Sequence, residues 1–436
     1  MKEINVPNQV VKVLNTLENA GYEGYLVGGA IRDNYLNIKC DDYDIASSAT
    51  VEEVYNLFAN YKIIKTSLKH ETVSLILDNL KIEITTYRDA EHTLMGDLFL
   101  RDFTIDSLAY SLKEGIIDYY NGVDDLNNKT IRINGDNNSR FIEDPVRILR
   151  AIRLSATLDF DIEPRTKNYI LNDANLLKNV SVERIQYEFT KLLLSSNPSN
   201  YIREYFSALT VFMPELEPLK GFDQNNPHHI YDCLEHTLKV LDNVDVNIIL
   251  RLSALFHDTG KPYSYTIDKN NIGHFYGHYK ISAEITLKIL RRLKYSNDII
   301  DRVINLINFH DYPLSLTKKS VRKLLNRFGP KDINNLLALK KADTLGQSPD
   351  YWGRLKEIEE VGKIIDEIIG ENDCFSLKDL KINGNDLMLL GITDGKTIGY
   401  ILNQLLDLVI EEKLENNREL LLKMANTLNI KTKRKG

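Results

Sequence analysis

The chain has 436 residues, of which 43% are hydrophobic and 27% are charged, and its formal net charge is −7. This length allows about two to four domains, and the lack of any run of about 18 apolar residues excludes a membrane span and a membrane partner. The acidic balance argues against a general coat for nucleic acid. Cys40, Cys233 and Cys374 are too widely spaced for a zinc or disulfide pattern, so a reducing cytoplasm is expected.

Short apolar runs alternate with helical stretches over residues 1–135, which predicts a head with a mixed β-sheet. Beyond residue 140 the pattern is helical almost to the end, with prolines at helix starts and breaks. The predicted fold class is therefore α+β, a small head followed by a largely all-α remainder. The strands are predicted at residues 25–27, 43–45, 73–77, 81–86 and 116–119.

A Gly-Gly turn lies directly after the first predicted strand. Gly28 and Gly29 allow the backbone to approach a ligand closely, and the helix predicted for residues 30–35 begins just beyond them. The free N–H groups at the start of that helix, together with Arg32, can hold a phosphate group. The pattern predicts a phosphate-binding cradle, and the alternative is an ordinary turn.

Asp42 and Asp44 stand two residues apart on the next predicted strand. Alternate residues of a strand point to the same face, so both carboxylates can reach one hard cation. Oxygen ligands of this kind suit Mg²⁺, which also binds nucleotide phosphates. A phosphate cradle followed by a metal-binding pair predicts nucleotidyl transfer. The alternative is an acidic loop without a ligand.

The string at 26–33, joined to the aspartates at 42–44, resembles the class II family of bacterial tRNA nucleotidyltransferases and poly(A) polymerases. Later blocks follow in family order: 82–88 resembles its next strand, 101–110 its ribose-sensing motif and 141–153 its base-reading helix. The resemblance implies transfer of nucleotides from CTP and ATP to the acceptor end of tRNA, with release of pyrophosphate. Two Mg²⁺ ions in the head would act on the attacking hydroxyl and the leaving pyrophosphate.

The resemblance also implies a role for each matching residue. Asp42 and Asp44 would be the catalytic metal ligands. Glu83 is either a third carboxylate of that site or a charge at the end of a strand. The expected nucleotide-binding residues are Gly28, Gly29, Arg32, Arg101, Asp102, Asp144, Arg147, Arg150 and Arg153.

Asp144 and Arg147 are expected to read the base of the incoming nucleotide. Aspartate followed by proline is typical of a helix start, so a helix cap alone would explain Asp144. A carboxylate beside a guanidinium three residues on can also read the hydrogen-bonding edge of a base. The family resemblance favours this template over the cap, with Arg150 and Arg153 as phosphate contacts. A charged partner is expected for the arginine series, which a cap does not explain.

Two departures from the family pattern bear on the product. The segment 89–100 is shorter than the charged flexible loop that, in typical members, switches the pocket from CTP to ATP. The shortening favours addition of CC over complete CCA, with a separate enzyme adding the last adenosine. Leu100 and Asp106 stand where the family has arginine and asparagine, and an ionised aspartate can only accept hydrogen bonds. Asp106 either alters the sugar contact or leaves the site intact.

A second candidate centre follows the head. His236 is followed by the adjacent pair His257-Asp258 and then by His278, His310 and Asp343. Imidazole and carboxylate groups in this order suit one or two divalent metals, including transition metals. The pattern resembles the HD family of metal-dependent phosphohydrolases, in which Lys261 would stabilise phosphate charge. Whether this centre is an active hydrolase stays open, and His228, His229 and His274 are expected to be structural or peripheral. The expected ligands are His236, His257, Asp258, His278, His310 and Asp343.

The resemblance divides the chain into four expected segments. They are a nucleotidyltransferase head at 1–135, a helical neck and body that binds RNA and nucleotide at 136–225, an HD metal-binding domain at 226–345 and a helical tail in contact with RNA at 346–436. Two alternatives remain open. One is a poly(A) polymerase of the same family, and the other is an HD phosphohydrolase whose head only binds RNA.

Overall fold

The computed structural model describes residues 4–64, 72–135 and 139–433. The chain divides into two compact units, Met1–Phe212 and Met213–Gly436. The basic end at 431–435, which could touch phosphate or merely aid solubility, lies partly outside the described residues. None of the described helices is long and apolar enough to cross a membrane.

The first unit contains a seven-stranded sheet. Its strands in chain order are β1 Gly24–Val27, β2 Tyr43–Ser47, β3 Lys62–Ile64, β4 Thr72–Leu77, β5 Leu80–Thr86, β6 Leu108–Ser111 and β7 Gly115–Asp118. The order across the sheet is β3-β4-β5-β2-β1-β6-β7. The pair β2 and β5 is parallel and the other neighbours are antiparallel, so the predicted mixed sheet is confirmed.

The helices of the first unit pack around this sheet and then continue beyond it. They are α1 Asn8–Asn19, α2 Gly29–Tyr35, α3 Val51–Leu57, α4 Leu94–Phe99, α5 Gly122–Asn127, α6 Ser139–Glu143, α7 Val146–Leu158, α8 Pro164–Asp173, α9 Val182–Leu193, α10 Pro198–Glu204 and α11 Phe206–Leu209. A short parallel pair joins β8 Thr130–Ile131 to β9 Asp161–Ile162.

The second unit is almost entirely helical. Its elements are α12 Cys233–Asp242, α13 Ile248–Phe256, α14 Lys261–Ser264, the hairpin β10 Thr266–Ile267 and β11 Gly273–His274, α15 His278–Arg292, α16 Asn297–Phe309, α17 Lys318–Leu345, α18 Arg354–Gly370, α19 Gly384–Leu389, α20 Gly395–Ile410 and α21 Arg418–Lys433. The α+β class is thus confirmed, whereas the division into four segments stays a prediction.

Local sequence explains where the elements that carry the candidate sites begin. Thr50 caps α3 in a reciprocal pair with Glu53, and Asn247 accepts hydrogen bonds from the first turn of α13. On β2 the buried Tyr43 and Ile45 alternate with the exposed Asp44. The apolar alternation therefore fixes which face of the sheet presents the acidic side chain.

Candidate active site and metal centre

Three carboxylates meet at the start of β2 and β5. Asp42 and Asp44 are both exposed while Tyr43 between them is buried, so they share one face as expected. In the sheet register Asp44 lies beside Glu83, whose carboxylate is 2.6 Å from Lys81 and accepts a hydrogen bond from Ser74. Although Asp44 has solvent access, the surrounding protein partly desolvates its carboxylate and raises its pKa. The charge of Arg101 opposes this shift, and Glu83 and Asp42 add to it. Such crowded carboxylates favour a cation.

Two guanidinium groups lie over the Gly28-Gly29 turn. Gly28 has a φ of +74°, and a Cβ atom there would lie 2.5 Å from Nη1 of Arg101. A Cβ atom on Gly29 would lie 3.2 Å from Nη2 of Arg32. The positive φ favours glycine at position 28, and a side chain at either position would displace a guanidinium group. The turn brings two cations to the edge of the sheet that carries the acidic pair.

Arg32 and Arg101 differ in how many partners their guanidinium groups have. Arg32 pairs with Asp33 at 2.8 Å and with Asp106. Arg101 lies 3.5 Å from the buried Asp97, and its own buried Nε makes no hydrogen bond among the described residues. Burial, then the nearby charge of Arg88, lowers the pKa of Arg101. A buried guanidinium with an open donor is a binding site for an anionic group.

The structure separates Arg101 from its sequence neighbour Asp102. The Asp102 carboxylate accepts a hydrogen bond from Nε of Arg147 at 2.5 Å and also pairs with Arg150. Arg150 reaches the buried Glu188 at 3.2 Å, and Arg153 lies 2.8 Å from the same carboxylate. Each of these three arginines of α7 thus contacts a carboxylate from another part of the first unit. A charged partner was expected for the arginine series, and within the protein Asp102 and Glu188 meet part of its charge.

Asp144 is paired differently from the expectation. Arg184 on α9 donates to both of its carboxylate oxygens, at 2.9 and 2.6 Å. Arg147 instead donates to Asp102, to the Arg140 carbonyl at 2.6 Å and to Glu143 at 3.3 Å. The expected Asp144–Arg147 pair is therefore two separate arrangements, each oriented by its own partners. The Asp144 carboxylate also accepts a long hydrogen bond, at 3.4 Å, from the Val146 amide at the start of α7, so the cap interpretation accounts for part of its position.

In the second unit the expected metal ligands converge. The Asp258 carboxylate lies between two groups of histidines, with Oδ2 3.3 Å from His236 and 3.1 Å from His257, and Oδ1 3.3 Å from His278. Asp343 Oδ1 is 3.1 Å from His236. The two candidate ligand groups share one carboxylate and are His236, His257 and Asp258, then Asp258, His278 and His310.

The orientation of these histidines suits metal binding. In each of the four the Nδ1 atom hydrogen-bonds to a main-chain carbonyl, so the Nε2 lone pairs face Asp258. These bonds run from His236 to Gly346 at 3.1 Å, from His257 to Ala254 at 2.8 Å, from His278 to Phe275 at 2.8 Å and from His310 to Ile307 at 2.7 Å. These hydrogen bonds favour the tautomer with the proton on Nδ1, which leaves the lone pair of Nε2 available to a metal.

Charge and burial also fit a cation here. Among the described residues neither oxygen of Asp258 accepts a well-aligned hydrogen bond, although Lys261 Nζ lies 2.7 Å from Oδ2. Burial alone would raise the pKa of Asp258, but His257 and Lys261 hold it well below its usual value. Burial, with His257 and His278, lowers the pKa of His310 to about 3. Burial alone would lower the pKa of His236, but its bonds with Asp258 and Asp343 raise that pKa to about 9. A buried carboxylate and imidazoles are the ligands that divalent metals prefer, and the imidazoles give up their protons when a metal binds.

A cavity of about 340 Å³ opens onto this centre. Its walls include His228, His229 and His274, which were expected to be structural or peripheral. None of the three belongs to either candidate ligand group found among the described residues. The ring of His228 packs against Tyr351 at a tilt of 39°, and His274 stacks on Tyr276. They shape the cavity wall and lie outside both ligand groups.

Comparisons with known proteins decide the family. Residues 24–132 match a poly A polymerase head domain, 159–220 a probable RNA and SrmB-binding site of polymerase A, and 273–425 a putative tRNA nucleotidyltransferase domain 2. The chain is 30% identical to the CCA-adding enzyme of Pediococcus pentosaceus, over 95% of this chain and 96% of that protein. The Lactobacillus helveticus CCA-adding enzyme is also 30% identical, over 98% and 100%.

The chain belongs to the CCA-adding enzyme family. A solved structure of the Bacillus stearothermophilus CCA-adding enzyme in complex with CTP has the same fold, with a TM-score of 0.73, 24% identity and coverage of 99% and 100%. The predicted family and the predicted RNA nucleotidyltransferase activity are confirmed. The relatives do not support a poly(A) polymerase or a hydrolase with an RNA-binding head. The assignment of an HD domain stays a prediction.

Sequence reasoning missed several residues that complete the site of this CCA-adding family member. Asp97 holds Arg88 and Arg101, while Arg184 and Glu188 hold the charged groups of α7. Arg184 and Glu188 stand four residues apart on α9, so they share one helix face. This spacing is the only local indication that the two residues act together, and it does not identify them because it belongs to no known motif.

Proposed function

We propose that this CCA-adding family member adds CC, or CCA where ATP is also used, to the 3′ end of tRNA in the cytoplasm, with CTP as the source of the cytidines. The observation that carries the proposal is the acidic pair Asp42 and Asp44 beside the two guanidiniums over the Gly28-Gly29 turn. Names of relatives over the full chain support it. A reducing compartment fits the three free cysteines.

The head residues fit Mg²⁺, since exposed carboxylates on one face supply the hard oxygen ligands that it prefers. Asp42 and Asp44 would hold the metal, which when bound would stabilise charge on the reacting phosphate groups. Arg32 and Arg101 would bind the triphosphate, and Asp102 would accept from the sugar. Glu83, already engaged by Lys81, would tune the local charge.

Base selection would rest on Asp144 and Arg147. Arg184 holds the Asp144 carboxylate by two hydrogen bonds. Asp102, Arg140 and Glu143 use Nε and Nη1 of Arg147, and within the described part of the chain its Nη2 makes no such bond. A fixed acceptor and a free donor can distinguish the edge of cytosine or adenine from those of guanine and uracil.

We propose further that addition stops at CC. The segment that replaces the family's flexible loop is folded here, since Thr93 caps α4 and Leu98 is fully buried. A folded segment cannot supply the movement that would switch the pocket to ATP. A separate A-adding enzyme would then complete the product.

The test uses purified protein, Mg²⁺ and a tRNA transcript that ends at its discriminator base. Products are sized at single-nucleotide resolution with CTP alone, ATP alone and both. Growth by two nucleotides, with no extension of a CC-ended tRNA by ATP, supports both proposals. Growth by three supports tRNA addition and overturns the CC stop. Asp42→Asn serves as the inactive reference. If the native protein, like this variant, does not extend the tRNA, the first proposal is overturned.

A second function is favoured by the metal-binding geometry of the second unit. We propose that this unit is a metal-dependent phosphohydrolase, carried by the two ligand groups that share Asp258. A bound transition metal would supply a nucleophilic hydroxide at neutral pH. Lys261 lies beside Asp258 and would offset phosphate charge.

The hydrolase proposal is tested with p-nitrophenyl phosphate and bis-p-nitrophenyl phosphate in the presence of Mn²⁺, Co²⁺ or Ni²⁺. His257→Ala should abolish the hydrolysis, while His274→Ala, which alters a cavity wall residue outside both ligand groups, should retain most of it. Equal rates for His257→Ala and the native protein would assign the activity to a contaminant.

A further inference from the structure

The guanidinium of Arg32 is enclosed by two carboxylates from different parts of the head. Asp33 accepts from Nε at 2.9 Å and lies 2.8 Å from Nη2. Asp106 accepts from Nη1. The side chains of Arg32, Asp33 and Asp106 are 13%, 21% and 18% exposed. One positive charge thus faces two negative ones in a largely desolvated setting.

The two carboxylates differ in what else they neighbour. Asp33 follows Arg32 on α2, whereas Asp106 ends the short turn Thr104–Asp106. The main-chain oxygen of Asp106 lies 3.7 Å from the Cβ position of Gly28, so this residue borders the turn. Its charge also acts on Arg101. Asp106 therefore stands beside both cations that border the turn.

A carboxylate in this position competes with any anion that binds there. A guanidinium Nη1 that donates to Asp106 is not free for a phosphate oxygen, and the carboxylate repels an incoming triphosphate. Charge-assisted bonds of this kind are among the stronger ones in proteins. Nucleotide binding at Arg32 must then displace or share the Asp106 contact.

We propose that Asp106 is a built-in competitor for the nucleotide triphosphate and sets the nucleotide affinity of the head. This inference rests on the proposed function of Arg32 and Arg101. It makes Asp106 a positioning residue that acts through those two arginines. The residue would keep nucleotide binding weak and therefore reversible between successive additions.

The experiment measures the dissociation constant of CTP by equilibrium dialysis in Mg²⁺ without tRNA, then KM and kcat with tRNA. Asp106→Asn keeps size and the ability to accept a hydrogen bond but removes the charge. We expect the dissociation constant and KM to fall about tenfold, with kcat changed by less than about twofold. Asp106→Glu, which keeps the charge, should bind nearly as weakly as the native protein.

Asp33→Asn is the matched control, because it removes the same charge from Arg32 without altering the group beside Arg101. It should tighten CTP binding less than Asp106→Asn does. Asp106→Ser serves if the asparagine variant does not fold, as judged by its melting curve. Unchanged or weaker CTP binding in Asp106→Asn, or an equal gain in Asp33→Asn, would overturn the inference. Failure of the native protein to bind CTP would instead count against the proposed function.

Discussion

Arg184 shows how a residue outside the expected motifs can control the template. Its guanidinium donates to both oxygens of Asp144 and so fixes the plane of that carboxylate. Arg184→Gln should free Asp144 to rotate and thereby raise UTP misincorporation about tenfold, within the range of about 1–3 kcal/mol for base discrimination. The measurement is the ratio of kcat/KM for CTP to that for UTP.

Lys167→Gln is the control for this variant, because it removes a surface ion pair with Glu204 far from any base-reading group. Its discrimination ratio should equal that of the native protein. If Arg184→Gln kept the native ratio while lowering only the melting temperature, Arg184 would be a structural residue with no part in base selection.

The residues that the sequence identified best are those whose spacing alone fixes their direction. Asp42 and Asp44 share a face because they alternate on a strand, and the candidate metal ligands of the second unit lie close together. The partners of Asp144 and Arg147 were not predicted, because helix spacing shows which side chains are neighbours but not which group each one binds. Their partners are distant in the chain, because Asp102 lies 45 residues from Arg147 and Arg184 lies 40 residues from Asp144, so no local pattern could reveal the pairing.

At the scale of elements, α4 and the loop before it depend on one buried carboxylate. Asp97 is 1% exposed, hydrogen-bonds to Arg88 at 2.8 Å and lies 3.5 Å from Arg101. Burial alone would raise the pKa of Asp97, but the bonds with Arg88 and the charge of Arg101 hold it below its usual value. The ionised form therefore stabilises the folded head.

Asp97→Asn should lower the free energy of unfolding by about 2 kcal/mol at pH 7. Because the folded pKa is lowered, the stabilisation is fully present above the unfolded value of about 3.9 and is lost as the pH falls through the folded pKa. The difference in melting temperature between variant and native protein should therefore shrink below about pH 4. Thermal unfolding from pH 7 to pH 3 measures it.

Asp124→Asn provides the comparison, since Asp124 is exposed on α5 and should change stability by no more than about 0.5 kcal/mol. A difference for Asp97→Asn that stayed constant down to pH 3 would show that lost packing, and not lost charge, destabilises the variant.

Elements with strong apolar alternation were predicted within a residue or two, as β4 and β5 show. The strand β3 was missed because its three residues are largely solvent-facing and show no buried alternation. The strand β6 was missed because Leu108–Ser111 lies within a block interpreted through its chemistry. Pairing with neighbouring strands, which a local pattern does not contain, makes both segments extended.

At the scale of the whole molecule, the two candidate chemistries lie in separate compact units. The acidic pair of the head belongs to Met1–Phe212, and the histidine cluster belongs to Met213–Gly436. Each set of ligands is held by elements of its own unit. Loss of one centre should therefore leave the chemistry of the other unchanged.

Metal stoichiometry tests this independence together with the shared role of Asp258. The native protein loaded with Mn²⁺ or Ni²⁺ should retain about two equivalents per chain after desalting, because two ligand groups share one carboxylate. His236→Ala should retain about one, and Asp258→Asn should retain almost none, since it removes a ligand from both groups.

The native protein, His236→Ala and Asp258→Asn should extend tRNA in Mg²⁺ at rates within about twofold of each other. Asp42→Asn should behave in the opposite way, with normal metal retention and no extension. If Asp258→Asn lost only one equivalent, Asp258 would not be shared, and if it also stopped tRNA extension, the two centres would be coupled.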